Sequence, residues 1–258
     1  MTSTPAPVQE FPLITDVIGD VARHCRTIDL GDGLTAYVVE DPRRSLSIST
    51  HYRVYDALVP VTTRSFGADM TPYWAQRSKE GYLERLAEFV LVGDERGAFV
   101  GWTGHHVLPF DEHVVIYLDS TGMVPLRQSK GVMRRLMRER ITDTAVPRCA
   151  SGKPVYLTAR TESPIFYRLM RGLVDGGTVF PHPDVPLPED VERCAIDLAT
   201  WLGQRDILEP GTVTLRNAYD TLDELYGELP TTGNPDLDAM FRGTLGPLDA
   251  FLVVARVR

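Results

Sequence analysis

The hydrophobic positions of this chain change their period along its length, and each change marks an element. Leu34–Glu40 (LTAYVVE) and residues 45–52 (SLSISTHY) alternate apolar and polar positions, the period of a half-buried strand, around the turn-forming Asp41-Pro42. Residues 54–66 and then 81–88 (GYLERLAE) carry helical spacing. A hairpin follows, with β-rich runs at 89–92 and 98–107 flanking the turn 93–97. After a second turn at 109–112, residues 113–118 (HVVIYL) begin a strand that runs toward Val124. Pro125 then opens a short loop, and Gly131 precedes a helix over 132–141 with Val132, Leu136, Met137 and Ile141 at helical spacing. A strand at 155–159 follows, and Ser163 with Pro164 makes an N-cap for a helix over 165–173.

Further along the signals thin out. Residues 180–188 are proline-rich and extended, 190–202 read as a helix, 212–216 as a short strand, and 251–257 (FLVVARV) as a last strand. No repeat or linker interrupts the chain. The expectation is one domain over 1–258, with a core at about 34–173 plus the strand 251–257 and an extension at 175–246.

Composition narrows the classes. No stretch reaches the roughly 20 apolar residues of a membrane span, and residues 1–12 lack the basic start and apolar core of a signal peptide, so a soluble, cytoplasmic protein is expected. Cys25, Cys149 and Cys194 are widely spaced and form no CxxC, which fits small buried residues in a reducing compartment. The net charge of −8 weighs against nonspecific nucleic-acid binding. The basic residues are nevertheless clustered: Arg127, Lys130, Arg134, Arg135, Arg138, Arg140, Arg148 and Lys153 share one stretch. That patch is either a solvated helix face or a docking face for one anionic ligand or partner.

The loop 125–133 joins a strand end to a helix start and contains a glycine. Unpaired amides at a helix start favour an anion, and glycine lets it approach closely. Gln128-Ser129-Lys130-Gly131-Val132-Met133, with Pro125 three residues before Gln128, resembles the pyrophosphate loop of the GCN5-related N-acetyltransferase (GNAT) superfamily, Gln/Arg-x-x-Gly-x-Gly/Ala. The order of hairpin, strand, loop, helix, strand and helix over about 89–173 is similar to that family too. The resemblance implies an α/β fold of the α+β kind: a mixed, mostly antiparallel central sheet flanked by helices, here with an enlarged C-terminal part.

The resemblance also implies acetyl-CoA, or another acyl thioester, as donor, with no metal. The backbone of Gln128, Ser129, Lys130, Gly131, Val132 and Met133 would cradle the pyrophosphate, Met123 and Val124 would bond the pantetheine arm, and Lys130 or Arg134 would meet a terminal phosphate. Met133 departs from the pattern, which has Gly or Ala there.

For catalysis the resemblance points to Tyr167 as the acid that protonates the leaving thiolate, although the family's Tyr-x-x-x-Gly-Phe is one residue longer here. A base must also take the amine's proton. Tyr117, Asp119 and Thr121 share one strand face by period two, which makes Asp119 a candidate. His105 and His106 face opposite ways, so one of them, with His106 the choice carried forward, is the alternative. Those histidines with Asp111, Glu112 and His113 could in principle hold a metal, but a turn explains 111–113 more simply.

The function these observations favour is acyl transfer from a phosphopantetheine thioester to the amine of a small molecule. Two alternatives stay open: a donor carried on an acyl carrier protein, docked by the basic patch, and a non-catalytic CoA- or ligand-binding module on the same fold. The excess of carboxylates suggests a cationic acceptor.

Overall fold

The computed structural model describes residues 11–128, 131–149, 152–174 and 176–257. One sheet organises them. Its strands are β1 (Arg26–Gly31), β2 (Leu34–Glu40), β3 (Glu88–Gly93), β4 (Phe99–Pro109), β5 (Val114–Met123), β6 (Val155–Thr161), β7 (Val179–Phe180), β8 (Leu208–Glu209), β9 (Thr214–Leu215) and β10 (Ala250–Arg256). The spatial order is β1-β2-β3-β4-β5-β6-β10-β9-β8, with β7 also paired to β10. The pair β5–β6 is parallel and the others are antiparallel, so the sheet is mixed and mostly antiparallel, as expected. The short strands of the extension continue it, through β10, rather than forming a sheet of their own.

Among the described residues the α-helices of six or more residues are α1 (Ile48–Phe66), α2 (Thr71–Lys79), α3 (Val132–Met137), α4 (Pro164–Arg171), α5 (Glu189–Trp201) and α6 (Pro235–Thr244). None is long and apolar enough to cross a membrane. Beyond α3 the helix loosens into a π-helical stretch at Arg138–Ala145 before Val146–Arg148. Strand alternation divides the core around β5, β6 and β10. Val115, Tyr117, Tyr156, Leu252 and Val254 face one cluster with Val54, Leu58 and Leu198 of α1 and α5. Val114, Ile116, Leu157, Val253 and Ala255 face the other, with Met137, Ile141, Tyr167, Met170 and Phe241.

The expected strand at 45–52 is instead the entry to α1. Ser47 Oγ accepts the amide hydrogen of Thr50 at 3.2 Å, a side-chain N-cap, and Thr50, His51, Val54, Tyr55, Ala57, Leu58, Val61 and Thr62 are buried at helical intervals. The alternation of serines with Leu46 and Ile48 came from capping residues rather than from a pleat. The helix expected at 81–88 shrinks to a single turn, Tyr82–Arg85, because Glu88 already pairs with Glu40 and His105 in the sheet. The N-cap at Ser163 is present, with Ser163 Oγ accepting from the Phe166 amide at 3.3 Å.

Candidate functional site

The site begins where β5 and β6 part. Their parallel pairing runs from Val114↔Val155 to Leu118↔Ala159 and stops there. Beyond it β5 follows β4 to Met123, while β6 follows β10 through Arg160 and Thr161. A β-bulge causes the parting. Between Leu118↔His105 and Thr121↔Thr103, β5 places Asp119 and Ser120 against the single residue Gly104. Ser120 adopts φ +62°, and its Oγ accepts from Trp102 Nε1 at 2.9 Å. The Trp102 ring lies over Gly122, where a Cβ would come within 2.4 Å of it, so glycine is required for the ring to hold the bulge.

The extra residue corrects the period-two reading of this strand. Thr121 is turned to the opposite face from Tyr117 and Asp119, where its Oγ1 is 2.8 Å from Thr103 Oγ1. Val124 N–H donates to Val100 O at 2.9 Å, so the ladder alternation directs the backbone groups of Thr121 and Met123 away from β4, toward the gap. Met123 thus stands where a pantetheine arm could pair with an amide. The Val124 amide is already used by β4.

Behind the gap lies the loop. Gln128 Nε2 donates to Met123 O at 2.6 Å, tying the loop to the strand end. Gly131 takes φ +69°, a left-handed conformation suited to glycine, and α3 starts at Val132. Val132 is buried, Met133 packs half-buried against the core, and Arg134 is exposed with its Cδ close to Gly172. Ser129 and Lys130 lie outside the described residues.

The basic stretch around this loop is largely engaged within the chain. Arg127 pairs with Glu95 and Asp94, Arg140 with Glu88 and Glu40, and Arg148 with Glu40. Arg135 donates to Leu30 O, Arg138 to Gly172 O and Lys153 to Phe110 O.

At the apex of the gap is a cavity of about 60 Å³. Its walls include Tyr117, Asp119 and Thr121 of β5, Arg160 and Thr161 of β6, Phe66, Met70 and Tyr73 from α1 to α2, Phe166 of α4, and Tyr219, Leu225 and Tyr226 of the extension. The extension is fastened over it by close backbone contact: Gly227 N–H donates to Phe66 O at 3.1 Å, and a Cβ at Gly227 would lie 2.6 Å from Gly67 O.

Of the three residues singled out for catalysis, Asp119 and His106 meet and Tyr167 stands apart. Asp119 is 2 % exposed, ion-paired with Arg77, and 3.0 Å from His106 Nε2. Burial works to raise its pKa, but the Arg77 guanidinium and the His106 hydrogen bond outweigh burial and hold the carboxyl well below the usual carboxylate range. His106 Nδ1 is 2.9 Å from Arg85 O, so both ring nitrogens face oxygen acceptors and no lone pair is open toward a substrate. Tyr167 lies in the second core against Phe241, and its hydroxyl reaches Val179 O at 2.9 Å and Pro181 O at 2.7 Å. Two main-chain carbonyls claim its one hydrogen, and burial raises its pKa. This is the environment of a core tyrosine, apart from the gap where a thiolate would leave.

His105 points to the other face, and His113 turns inward against Phe110 and Tyr156. Among the described residues no three of His, Cys, Asp and Glu converge as a metal site would require.

One group beside the site went unmarked in the sequence. Glu162 follows the wall residue Thr161, is 7 % exposed, and keeps Oε2 buried without a hydrogen-bond partner among the described residues. Burial first, and the nearby Asp249 second, push its pKa up to about 7. A glutamate after a strand is common, and nothing in its neighbours' identities announces this isolation.

No protein-family profile and no curated protein sequence matches the chain. Similar solved structures include an aminoglycoside acetyltransferase from an uncultured soil metagenomic sample, 18% identical, covering 60% of this chain and 99% of that one at a TM-score of 0.40. A GNAT family N-acetyltransferase of Escherichia coli in complex with CoA is 12% identical, over 56% of this chain and 68% of that one, with a TM-score of 0.36. Spermidine N-acetyltransferase of Vibrio cholerae is 13% identical, over 59% and 86%, with a TM-score of 0.34.

Proposed function

We propose that the chain is a divergent acyltransferase of the GNAT kind, moving an acyl group from a CoA thioester to the amine of a small molecule. The observation that carries this reading is the parting of β5 from β6. It turns the backbone of Thr121 and the amide of Met123 toward the gap beside the Gly131 loop, while Met123 O is held by Gln128, and a cavity lies at its apex. A pantetheine arm can add to that edge as a short strand would, its pyrophosphate lying by the start of α3. Amides fixed there can also polarise the thioester carbonyl.

In this reading Glu162 takes the proton that the attacking amine sheds. Its raised pKa suits a base working near neutrality, and it stands next to Thr161 of the cavity wall. The C–N bond forms, the C–S bond breaks, and the thiolate takes a proton from water. Asp119 and His106 have a positioning role: with Arg77 they fix the bulge that opens the strands. The basic stretch, being largely engaged within the chain among the described residues, gives little support to a carrier-protein donor.

The test is free-thiol release from acetyl-CoA with a panel of small amines, alongside calorimetric titration of CoA. Turnover should rise with pH through about 7, and Glu162→Gln should remove that rise while CoA affinity stays the same. Absence of both CoA binding and thiol release would sink the acyltransferase. CoA binding without release would favour the non-catalytic module.

A further inference from the structure

Arg160 has more hydrogen-bonding capacity than its surroundings use. It stands on β6 just past the parting from β5, and it walls both the inner cavity and a second, outer cavity of about 170 Å³. The two cavities share Tyr73, Arg160 and Tyr219 as walls. The guanidinium lies 4.7 Å over the Tyr219 ring, and Nη1 donates to Gln204 Oε1 at 2.8 Å and to Ala218 O at 3.2 Å. Both partners are neutral. Among the described residues Nε and Nη2 find no hydrogen-bond partner, yet unlike Nε of Arg77 they are not sealed from the surrounding space.

The neighbouring arginines show what is unusual here. Arg77 and Arg140 are each neutralised by a buried carboxylate, Asp119 and Glu88. Arg160 forms no ion pair with any described carboxylate, and a guanidinium stays charged at any working pH. The outer cavity is also lined by Arg77 and Arg85, between which Glu80 sits at 3.7 and 3.8 Å, so that carboxylate is engaged as well, and by Asp220, whose side chain is exposed. A partly buried cation held by neutral groups, with one edge open to a cavity, is arranged for an anion that arrives with a ligand. The open Nε–Nη2 edge presents two parallel N–H donors, the fork that matches a carboxylate.

We propose that Arg160 binds the carboxylate of the acceptor, so that the acceptor is a small amino acid rather than a plain amine or polyamine. The word acceptor rests on the acyl-transfer reading above; the binding of a carboxylate at Arg160 does not. An amino acid carries its amine two bonds from its carboxylate. Docking the carboxylate on Arg160 therefore holds the amine beside the gap where the thioester would lie. The cationic acceptor suggested by overall charge gives way here to the local charge of the cleft.

The test uses matched pairs that differ by the carboxylate: L-phenylalanine with phenethylamine, L-tyrosine with tyramine, L-histidine with histamine and L-alanine with ethylamine. Binding is read by calorimetry on the wild-type protein, and thiol release from acetyl-CoA is read in parallel. In at least one pair the amino acid should be favoured by about 30-fold, the scale of one hydrogen bond to a charged group. Arg160→Gln should cut binding of that amino acid by a similar factor and leave its decarboxylated partner within about threefold. Arg160→Lys, which keeps the charge and loses the fork, should fall between the two.

The wild-type comparison needs no variant, so a poorly folding substitution leaves the test intact. The proposal is overturned if the plain amines bind as well as the amino acids in every pair, if no amino acid binds, or if Arg160→Gln weakens both members equally. Thiol release with plain amines alone would overturn it while upholding acyl transfer. Amino-acid binding without any thiol release would uphold Arg160 and count against the transferase.

Discussion

Two histidines adjacent in sequence, His105 and His106, stand on opposite faces of β4, and each sits beside a buried arginine–carboxylate pair. On one face His106 bonds Asp119, which pairs with Arg77. On the other, His105 lies across from Glu88, which pairs with Arg140. Each trio is a histidine, a carboxylate and an arginine, and the arrangements differ. His106 is bonded at both nitrogens, and its face closes around the small cavity at the strand gap. His105 borders an open groove of about 630 Å³, where burial, His106 and Arg140 push its pKa down to about 3. One trio fixes the bulge that separates two strands, and the other braces the helix after α3 against β3. A His, an acid and an Arg in contact therefore say nothing of chemistry until the backbone around them is known.

The largest expected effect comes from splitting these pairs. Arg77→Met and Arg140→Met should each cost about 3–5 kcal/mol, since each leaves a buried carboxylate unpaired. The double replacements separate the faces. Glu88→Leu with Arg140→Met should recover most of the stability and retain thiol release. Asp119→Leu with Arg77→Met should recover stability and lose thiol release, as urea unfolding and the thiol assay would show. Equal activity in the two double variants would erase the distinction.

Next in size is Gly122→Ala. Its methyl group would collide with Trp102, costing about 1–3 kcal/mol and freeing the indole from Ser120. A lower Tm together with a shift in tryptophan fluorescence would report it; an unchanged Tm would remove Trp102 as the clasp of the bulge.

The smallest effect belongs to the His105 face. Its folded pKa lies below the unfolded value of 6.5, so the unfolded chain binds the extra proton and stability is lost as pH falls from 6.5 toward 3. The loss between pH 7 and pH 5 should be on the order of 1 kcal/mol. It should vanish in His105→Gln, and a slope that persists there would assign the acid sensitivity to other groups.

The sheet was legible because β-branched and aromatic residues alternate through 89–107 and 113–118, and because turn residues separate those runs. The loop was legible from Gly131, whose positive φ few other residues accept. The site was less so. A bulge is one extra residue, invisible to a period-two reading, and it reversed the face of Thr121. The basic stretch read as one patch because sequence shows charges without partners, whereas Arg127, Arg140 and Arg148 meet acids from β2, β3 and the turn after β3. Glu162 and Arg160 were overlooked for the same reason in reverse, since what marks them is a partner that is missing.

The position of β6 sets an order on folding. It holds β5 over a few residues only, whereas β10, far along the chain, pairs with it from Tyr156 to Thr161. Strands β1 to β5 pair largely with near neighbours, but the second wall of the cleft waits for a long loop to close, an entropic cost that slows such contacts. Hydrogen exchange should therefore find the β3–β5 half protected first in refolding, with the gap between β5 and β6 acquiring its far side only when the last strand docks.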